Sequence, residues 1–92
     1  MNSYTFININ SIEEHNFIQK YYLKNGYEWI TSGKIFKEYS NIYNMLIDEQ
    51  SKKLSNTEYD EIIAYNMYNI DKTIVAKQLI RKIKLNNLYE EL

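Results

Sequence analysis

The segment "SIEEHNFIQKYYLKNGYEWITSGK", residues 11–34, contains both glycines and the single tryptophan of this 92-residue chain. Ser11 can accept a hydrogen bond from the backbone N–H of Glu14, while the Glu14 carboxylate reaches back to the N–H of Ser11, which is the capping box of a helix N-terminus. Gly26 favours the left-handed conformation that ends helices. These signals predict a helix over residues 12–24.

The predicted helix has one broad stripe that should face the rest of the protein. When successive residues are rotated by about 100° around the helix axis, this stripe contains Ile12, His15, Ile18, Gln19, Tyr22 and Leu23. Beyond Gly26, the run "YEWIT", residues 27–31, alternates like a half-buried strand, and Gly33 turns the chain away. We expect Trp29 to lie on that strand facing the helix, so we interpret this segment as a structural joint.

Further strands are predicted on both sides of this joint. Residues 4–9, "YTFINI", alternate in a β-branched and aromatic setting that is typical of a strand. Residues 42–47 and 52–56 indicate two strands of a hairpin. Residues 57–70 fit a helix, and their alternation at positions 63, 65 and 67 also fits a strand; we favour the helix. In that helix the apolar side comprises Tyr59, Ile62, Ile63, Asn66, Met67 and Ile70.

A further amphipathic helix is predicted at the C-terminal end, with Asp71 as its cap. Its apolar side comprises Val75, Ala76, Leu79, Ile80 and Ile83. The fold class that follows is α+β: a small antiparallel sheet packed by helices, in the order β-α-β-β-β-α with a possible extra helix, in a single domain over residues 1–92. The alternative is an all-helical chain after residue 40.

The composition excludes several classes of function. The chain has no cysteine, so disulfides and cysteine-based zinc sites are excluded. A formal net charge of -1 provides no overall field for recruiting nucleic acid. Because we find no signal peptide and no apolar run of transmembrane length, we expect a cytoplasmic protein that does not bind membranes. Asn, Ile, Lys and Tyr make up half of the residues, and their AT-rich codons indicate an AT-rich genome.

No catalytic pattern is visible among the polar residues. The single histidine, His15, lies on the predicted stripe, where a hydrogen-bonded structural role is favoured. The carboxylates at residues 48–49 and 58–61 fall in predicted turns and at a helix start, where capping explains them. The two glycines form no phosphate-binding loop. We therefore expect no enzyme, no metal and no cofactor.

The candidate site is a basic flank of the C-terminal helix. Lys77, Arg81 and Lys84 follow the spacing i, i+4, i+7. This flank fits a nucleic-acid backbone or an acidic protein surface, and the solvated side of an ordinary helix is the competing interpretation. Ten tyrosines exceed what so small a core can bury, so some should lie on the surface and anchor partners or stack on bases. The tyrosines that we expect at the surface are Tyr39, Tyr43, Tyr65, Tyr68 and Tyr89.

Residues 11–34 resemble a pattern found in small uncharacterised phage and prophage proteins. The pattern has a strand, a capped helix with an aliphatic–Gln pair, here Ile18 and Gln19, and Gly-Tyr-x-Trp entering the next strand, here residues 26–29. The resemblance covers about a quarter of the chain and implies a phage or mobile-element origin with a βαβ-type start. Such proteins include some that block host defences.

Two hypotheses for function follow. The first is a stoichiometric inhibitor of a host defence machine, an anti-CRISPR-like protein that binds a nuclease effector. Its partner is a host protein or ribonucleoprotein complex, and it acts as a monomer or homodimer. The alternative is an RNA- or DNA-binding accessory protein that uses the basic flank of the C-terminal helix.

Overall fold

The computed structural model describes residues 3–91, with side chains described as far as residue 86. Five strands and three helices follow one another in the order β-α-β-β-β-α-β-α. Their bounds are β1 (Tyr4–Asn8), α1 (Ile12–Lys24), β2 (Glu28–Trp29), β3 (Asn44–Asp48), β4 (Lys53–Thr57), α2 (Glu61–Met67), β5 (Ile70–Val75) and α3 (Ala76–Glu91). The predicted α+β class is confirmed, and the extra helix is α2.

The strands form one sheet in the order β2-β4-β3-β1-β5. The central pairings, β4 with β3 and β3 with β1, are antiparallel, and β3 and β4 are the predicted hairpin. The two edge strands pair in parallel, β2 with β4 and β5 with β1. The sheet is therefore antiparallel at its centre, as expected, and mixed as a whole. The all-helical alternative for residues after 40 is wrong.

The larger core lies on the face of the sheet that α1 covers, which we call the α1 face. Side chains of the strands alternate between faces, so this face takes the odd-numbered residues of β1 and β3. Its buried cluster comprises Ile7, Ile9, Ile18, Tyr22, Trp29, Met45, Ile47, Leu54 and Ala76. Because Leu79 and Ile80 pack against this cluster, α3 covers the same face as α1.

The opposite face, which we call the α2 face, has a smaller core. Phe6 of β1 and Leu46 of β3 are buried there against Ala64 of α2. Tyr4 and Tyr68 pack at the edge of this cluster, with ring centroids 5.9 Å apart. One seven-residue helix therefore provides the cover on this side of the sheet.

Helix α1 begins and ends where its capping signals predict. The Ser11 side chain accepts from the N–H of Glu14 at 3.1 Å. The Glu14 carboxylate accepts from the N–H of Asn10 at 2.9 Å, one residue before the expected donor. After the C-cap Asn25, Gly26 has a φ of 91°, a conformation that glycine adopts without steric penalty.

The prediction that the last helix begins at Asp71 is wrong. Residues Ile70–Val75 form β5, and α3 begins at Ala76. The β-branched run at 73–75 suits a strand, and β1 offers it a parallel partner, with Phe6 opposite Thr73. Val75 is consequently an exposed strand residue, whereas the other predicted positions are buried or half-buried, namely Ala76, Leu79, Ile80 and Ile83.

The favoured helix within residues 57–70 is confirmed, but the prediction of its buried side is wrong. α2 spans Glu61–Met67, and its buried residue is Ala64, which is fully inaccessible to solvent. The small alanine side chain allows the helix backbone to approach Phe6 and Leu46 closely. The bulky residues that were expected to face the core point outward instead, and Tyr59, Ile62, Ile63 and Met67 are exposed.

Candidate functional site

His15 is buried in an aromatic cluster on the α1 face. Its Nε2 lies 2.8 Å from Oδ1 of Asn56, and because an amide oxygen only accepts, Nε2 carries the ring proton. The imidazole stacks on Trp29 and meets the edge of Tyr39, with ring centroids 6.2 and 5.1 Å away. Burial lowers the pKa of His15 below its ordinary range, against the opposing effect of the Asn56 hydrogen bond. The prediction that this histidine faces the core and is hydrogen-bonded is confirmed.

Gln19 joins α1 to β2 and to the loop that precedes β3. Its Oε1 accepts from Nε1 of Trp29 at 2.9 Å and from the backbone N–H of Lys37 at 2.7 Å. Its Nε2 donates to the carbonyl oxygen of Lys37 at 2.8 Å. The aliphatic–Gln pair of the sequence pattern is therefore a structural clamp, and Gln19 is fully buried.

The predicted basic flank lies on the exposed side of α3. Lys77 and Arg81 are exposed, and neither has an ion-pair partner among the described residues. Lys84 lies over the ring of Phe17, with Nζ 5.6 Å from the ring centroid. This cation–π contact packs Lys84 against α1. Tyr89, on the same helix, is outside the described side chains.

The other predicted surface tyrosines lie on other elements of the chain than this flank. Tyr39 and Tyr43 are half-buried in the loop before β3, with ring centroids 5.6 Å apart. Tyr68 is half-buried on the α2 face, and Tyr65 is 49% exposed on α2. Among the described residues, none of these tyrosines makes a hydrogen bond or cation–π contact with the basic flank. The structure therefore shows no direct contact of these kinds between the described tyrosines and the basic flank.

An apolar surface on and beside α2 was not predicted, and we call it the α2 patch. It consists of five exposed side chains, Tyr59, Ile62, Ile63, Tyr65 and Met67. Ile62 is 75% exposed and Met67 is 55% exposed. Apolar periodicity in the sequence assigned Tyr59, Ile62, Ile63 and Met67 to the core, because it cannot tell a buried stripe from an exposed one. Tyr65 was expected at the surface, and it is exposed there.

Carboxylates border the α2 patch at the start of the helix. Glu58, Asp60 and Glu61 are all exposed. Asp60 has a structural role as well, since its Oδ1 accepts from the N–H of Ile63 at 2.9 Å as the N-cap of α2. Residues 57–70 contain no lysine or arginine. The patch is therefore apolar with an acidic border.

A cleft of about 420 Å³ opens between α1, the β3–β4 turn, β5 and α3. It is lined by Tyr21, Tyr22, Asn25, Tyr27, Glu49, Lys72, Ile74, Leu79 and Lys82. The ring of Tyr22 makes edge contacts with Tyr21 and Tyr27, at centroid distances of 5.3 and 4.9 Å. Because the lining residues come from four separate parts of the chain, no local motif could have revealed this cleft.

The charged residues that line this cleft are Lys72, Lys82 and Glu49. Lys72 Nζ lies 3.7 Å from the Glu49 carboxylate, and Lys82 is exposed on α3. Burial raises the pKa of the Tyr22 and Tyr27 hydroxyls above their ordinary range, and the negative charge of Glu49 adds to this effect. Both hydroxyls are therefore protonated hydrogen-bond donors at neutral pH.

The described residues contain no group of three or more His, Cys, Asp or Glu that could hold a metal ion. Asp48 caps the β3–β4 turn by accepting from the N–H groups of Gln50 and Ser51 at 3.1 and 3.2 Å.

None of the helices in the described part of the chain combines the length and the apolar character that crossing a bilayer requires. Comparisons of the chain with protein-family models, curated proteins and solved structures found no match.

Proposed function

We propose that this protein acts stoichiometrically, by binding a host protein through the α2 patch and its acidic border. The observation that carries the proposal is the exposure of bulky apolar side chains on a helix that buries only an alanine among its own residues. Several bulky apolar side chains exposed together on and beside one short helix place apolar surface in water, which is typical of an interface. Tyrosine and methionine are also enriched in interface cores.

The acidic border indicates what kind of surface the partner offers. Glu58, Asp60 and Glu61 would repel nucleic acid, whereas they complement a basic groove. Proteins that act on nucleic acids carry such grooves, since lysines and arginines must neutralise the phosphates. The partner that we propose is therefore a nuclease effector of a host defence system, or its ribonucleoprotein complex. By occupying the groove, the α2 patch prevents the effector from binding its nucleic acid.

The resemblance of residues 11–34 to small phage and prophage proteins supports the same proposal. Those proteins include some that block host defences. A phage protein that acts as an anti-CRISPR-like inhibitor in the host cytoplasm needs a binding surface and no catalytic centre. The AT-rich composition agrees with this origin.

The test compares the wild-type protein with Ile62→Glu/Met67→Glu in cells of an AT-rich host that carries CRISPR and restriction systems. Cells expressing the wild type should lose defence against a targeted plasmid, and the double variant should restore it. Ile35→Glu is the matched control, because Ile35 is 64% exposed and lies outside the patch. The control should inhibit as the wild type does.

A pull-down with and without nuclease treatment identifies the partner in the same cells. An effector subunit that survives nuclease and is lost with the double variant would agree with the proposal. Full CRISPR and restriction activity in cells that express the wild-type protein would contradict it.

A second candidate function is nucleic-acid binding by the basic flank. The observation that favours it is the exposure of Lys77 and Arg81 without ion-pair partners in the described part of the chain. Binding of single-stranded RNA or DNA should then weaken steeply with salt, and Arg81→Glu should weaken it further. Binding that is absent, or that does not respond to salt, would exclude this candidate.

A further inference from the structure

The cleft between α1 and α3 combines an aromatic wall with polar groups, and the proposed function does not use it. Tyr21, Tyr22 and Tyr27 form the aromatic part, and Ile74 and Leu79 add apolar surface. A volume of about 420 Å³ falls within the range of clefts that hold small molecules, about 300 to 1,000 Å³. The cleft is therefore large enough for a ligand with one planar ring system.

The charged groups of the cleft favour an anion. Lys72 and Lys82 provide two positive charges against the single negative charge of Glu49. The Lys72–Glu49 pair is long, at 3.7 Å, and both side chains are about half exposed, so it is a weak pair whose lysine can turn to another anion. Glu49 is the one carboxylate among the described residues that line the cleft, which is too few for a divalent cation.

We propose that this cleft binds a nucleoside monophosphate, either free or as the 5′-terminal nucleotide of a strand. The base stacks on the half-buried rings of Tyr21 and Tyr27, because every base has a π-face. The phosphate pairs with Lys82 and Lys72. Glu49 accepts from the sugar hydroxyls, the role that a carboxylate plays in dinucleotide-binding sites.

This site is independent of the α2 patch. The cleft opens between α1, α3, the β3–β4 turn and β5, and α1 and α3 cover the α1 face, whereas the patch belongs to the helix on the α2 face. Either proposal can fail without affecting the other.

The experiment is a calorimetric and NMR titration of the full-length protein with 5′-AMP, adenosine and ribose 5-phosphate. AMP should bind, with amide shifts centred on the residues that line the cleft. Adenosine lacks the phosphate and ribose 5-phosphate lacks the base, so each should bind at least about ten-fold more weakly. The affinity for AMP should fall as salt is raised, because the lysine–phosphate contacts are screened.

Lys82→Ala and Lys20→Ala form a matched pair of variants, since both are exposed helix lysines and only Lys82 lines the cleft. Lys82→Ala should weaken AMP binding about ten-fold, whereas Lys20→Ala should leave it unchanged. Short oligonucleotides with a 5′-phosphate or a 5′-hydroxyl distinguish the two sources of the ligand. If only AMP binds, the ligand is free nucleotide; if the 5′-phosphorylated strand binds more tightly than AMP, the ligand is a strand end.

Two results would overturn the proposal. One is the absence of NMR amide shifts at the cleft residues with AMP at about 5 mM, a concentration well above the Kd expected for a specific nucleotide site. The other is AMP binding that Lys82→Ala and Lys20→Ala weaken equally, because the ligand would then respond to the general charge of the protein surface and not to the cleft.

Discussion

The two faces of the sheet are covered by different amounts of structure, although both contain fully buried side chains. On the α1 face, two helices and the clamped loop surround the core, and the buried amide of Gln19 has partners for both its oxygen and its nitrogen. On the α2 face, a seven-residue helix shields Phe6 and Leu46 with Ala64 and leaves Ile62 and Met67 exposed.

This difference indicates a division of roles between stability and binding. Truncating a tightly packed side chain on the α1 face should lower the protein's free energy of unfolding substantially. Exposed side chains of α2 contribute little to folding, so their apolar character calls for another explanation. The comparison can be tested by matching a substitution on one face with a substitution on the other.

The largest expected effect is that of Trp29→Ala on the α1 face. Trp29 is 3% exposed, stacks on His15 and donates to Gln19. Its truncation should lower the free energy of unfolding by about 3–5 kcal/mol, measured by urea denaturation. Ile30→Ala is the control from the same segment, because Ile30 is 59% exposed, and it should change little. Equal losses in both variants would contradict the assignment of Trp29 to the core.

Gln19→Ala should have the next largest effect. The variant leaves the indole N–H of Trp29 and the backbone N–H and C=O of Lys37 without their partner. Unpaired buried groups cost about 1–3 kcal/mol each, so we expect a loss of about 2–4 kcal/mol. Trypsin should also cleave faster after Lys37, since the loop is released. Gln78→Ala, on an exposed part of α3, should change neither stability nor cleavage.

The buried imidazole of His15 predicts a smaller effect, which depends on pH. Because burial lowers its pKa in the folded state, the unfolded chain binds more protons near and below pH 6.5, the pKa of a free histidine. The free energy of unfolding should therefore fall as the pH drops from about 7.5 to 5.5, by at most about 1.4 kcal/mol per pH unit.

The pH window from about 7.5 to 5.5 is centred on the titration of a histidine. His15 is the only histidine of the chain, and Glu28 titrates well below the window because Lys53 donates to it and lowers its pKa. Urea denaturation at several pH values measures the slope. His15→Gln should flatten it, and a wild-type stability that stays constant or rises toward pH 5.5 would contradict the prediction.

The elements that the sequence predicted correctly are those with local signals. Ser11 and Gly26 mark the two ends of α1, and the hairpin of β3 and β4 follows from two short alternating runs. Strand β5 could not be predicted in this way, because Asp71 resembles a helix cap and the helical period continues into α3. The parallel partner that fixes residues 70–75 as a strand is β1, about 65 positions earlier in the chain.

The candidate sites were harder to predict from the sequence than the fold was. The basic flank is a local pattern, and Lys77 and Arg81 are exposed as expected. The α2 patch was misread because a helix with Ala64 inward has the same apolar period as one with Ile62 inward. Burial of a residue depends on which neighbour the sheet supplies, here Phe6 and Leu46, and that is a tertiary property.

The smallest expected effect completes the comparison between the faces. Ile62→Glu should change the free energy of unfolding by no more than about 0.5 kcal/mol, because Ile62 is 75% exposed and substitutions at such positions rarely matter for folding. A glutamate in the first turn of α2 is also favourable to the helix dipole. Urea denaturation beside Trp29→Ala gives the measurement. A loss above about 1 kcal/mol would show that Ile62 stabilises the fold, and the α2 patch would then no longer need a partner to explain its apolar side chains.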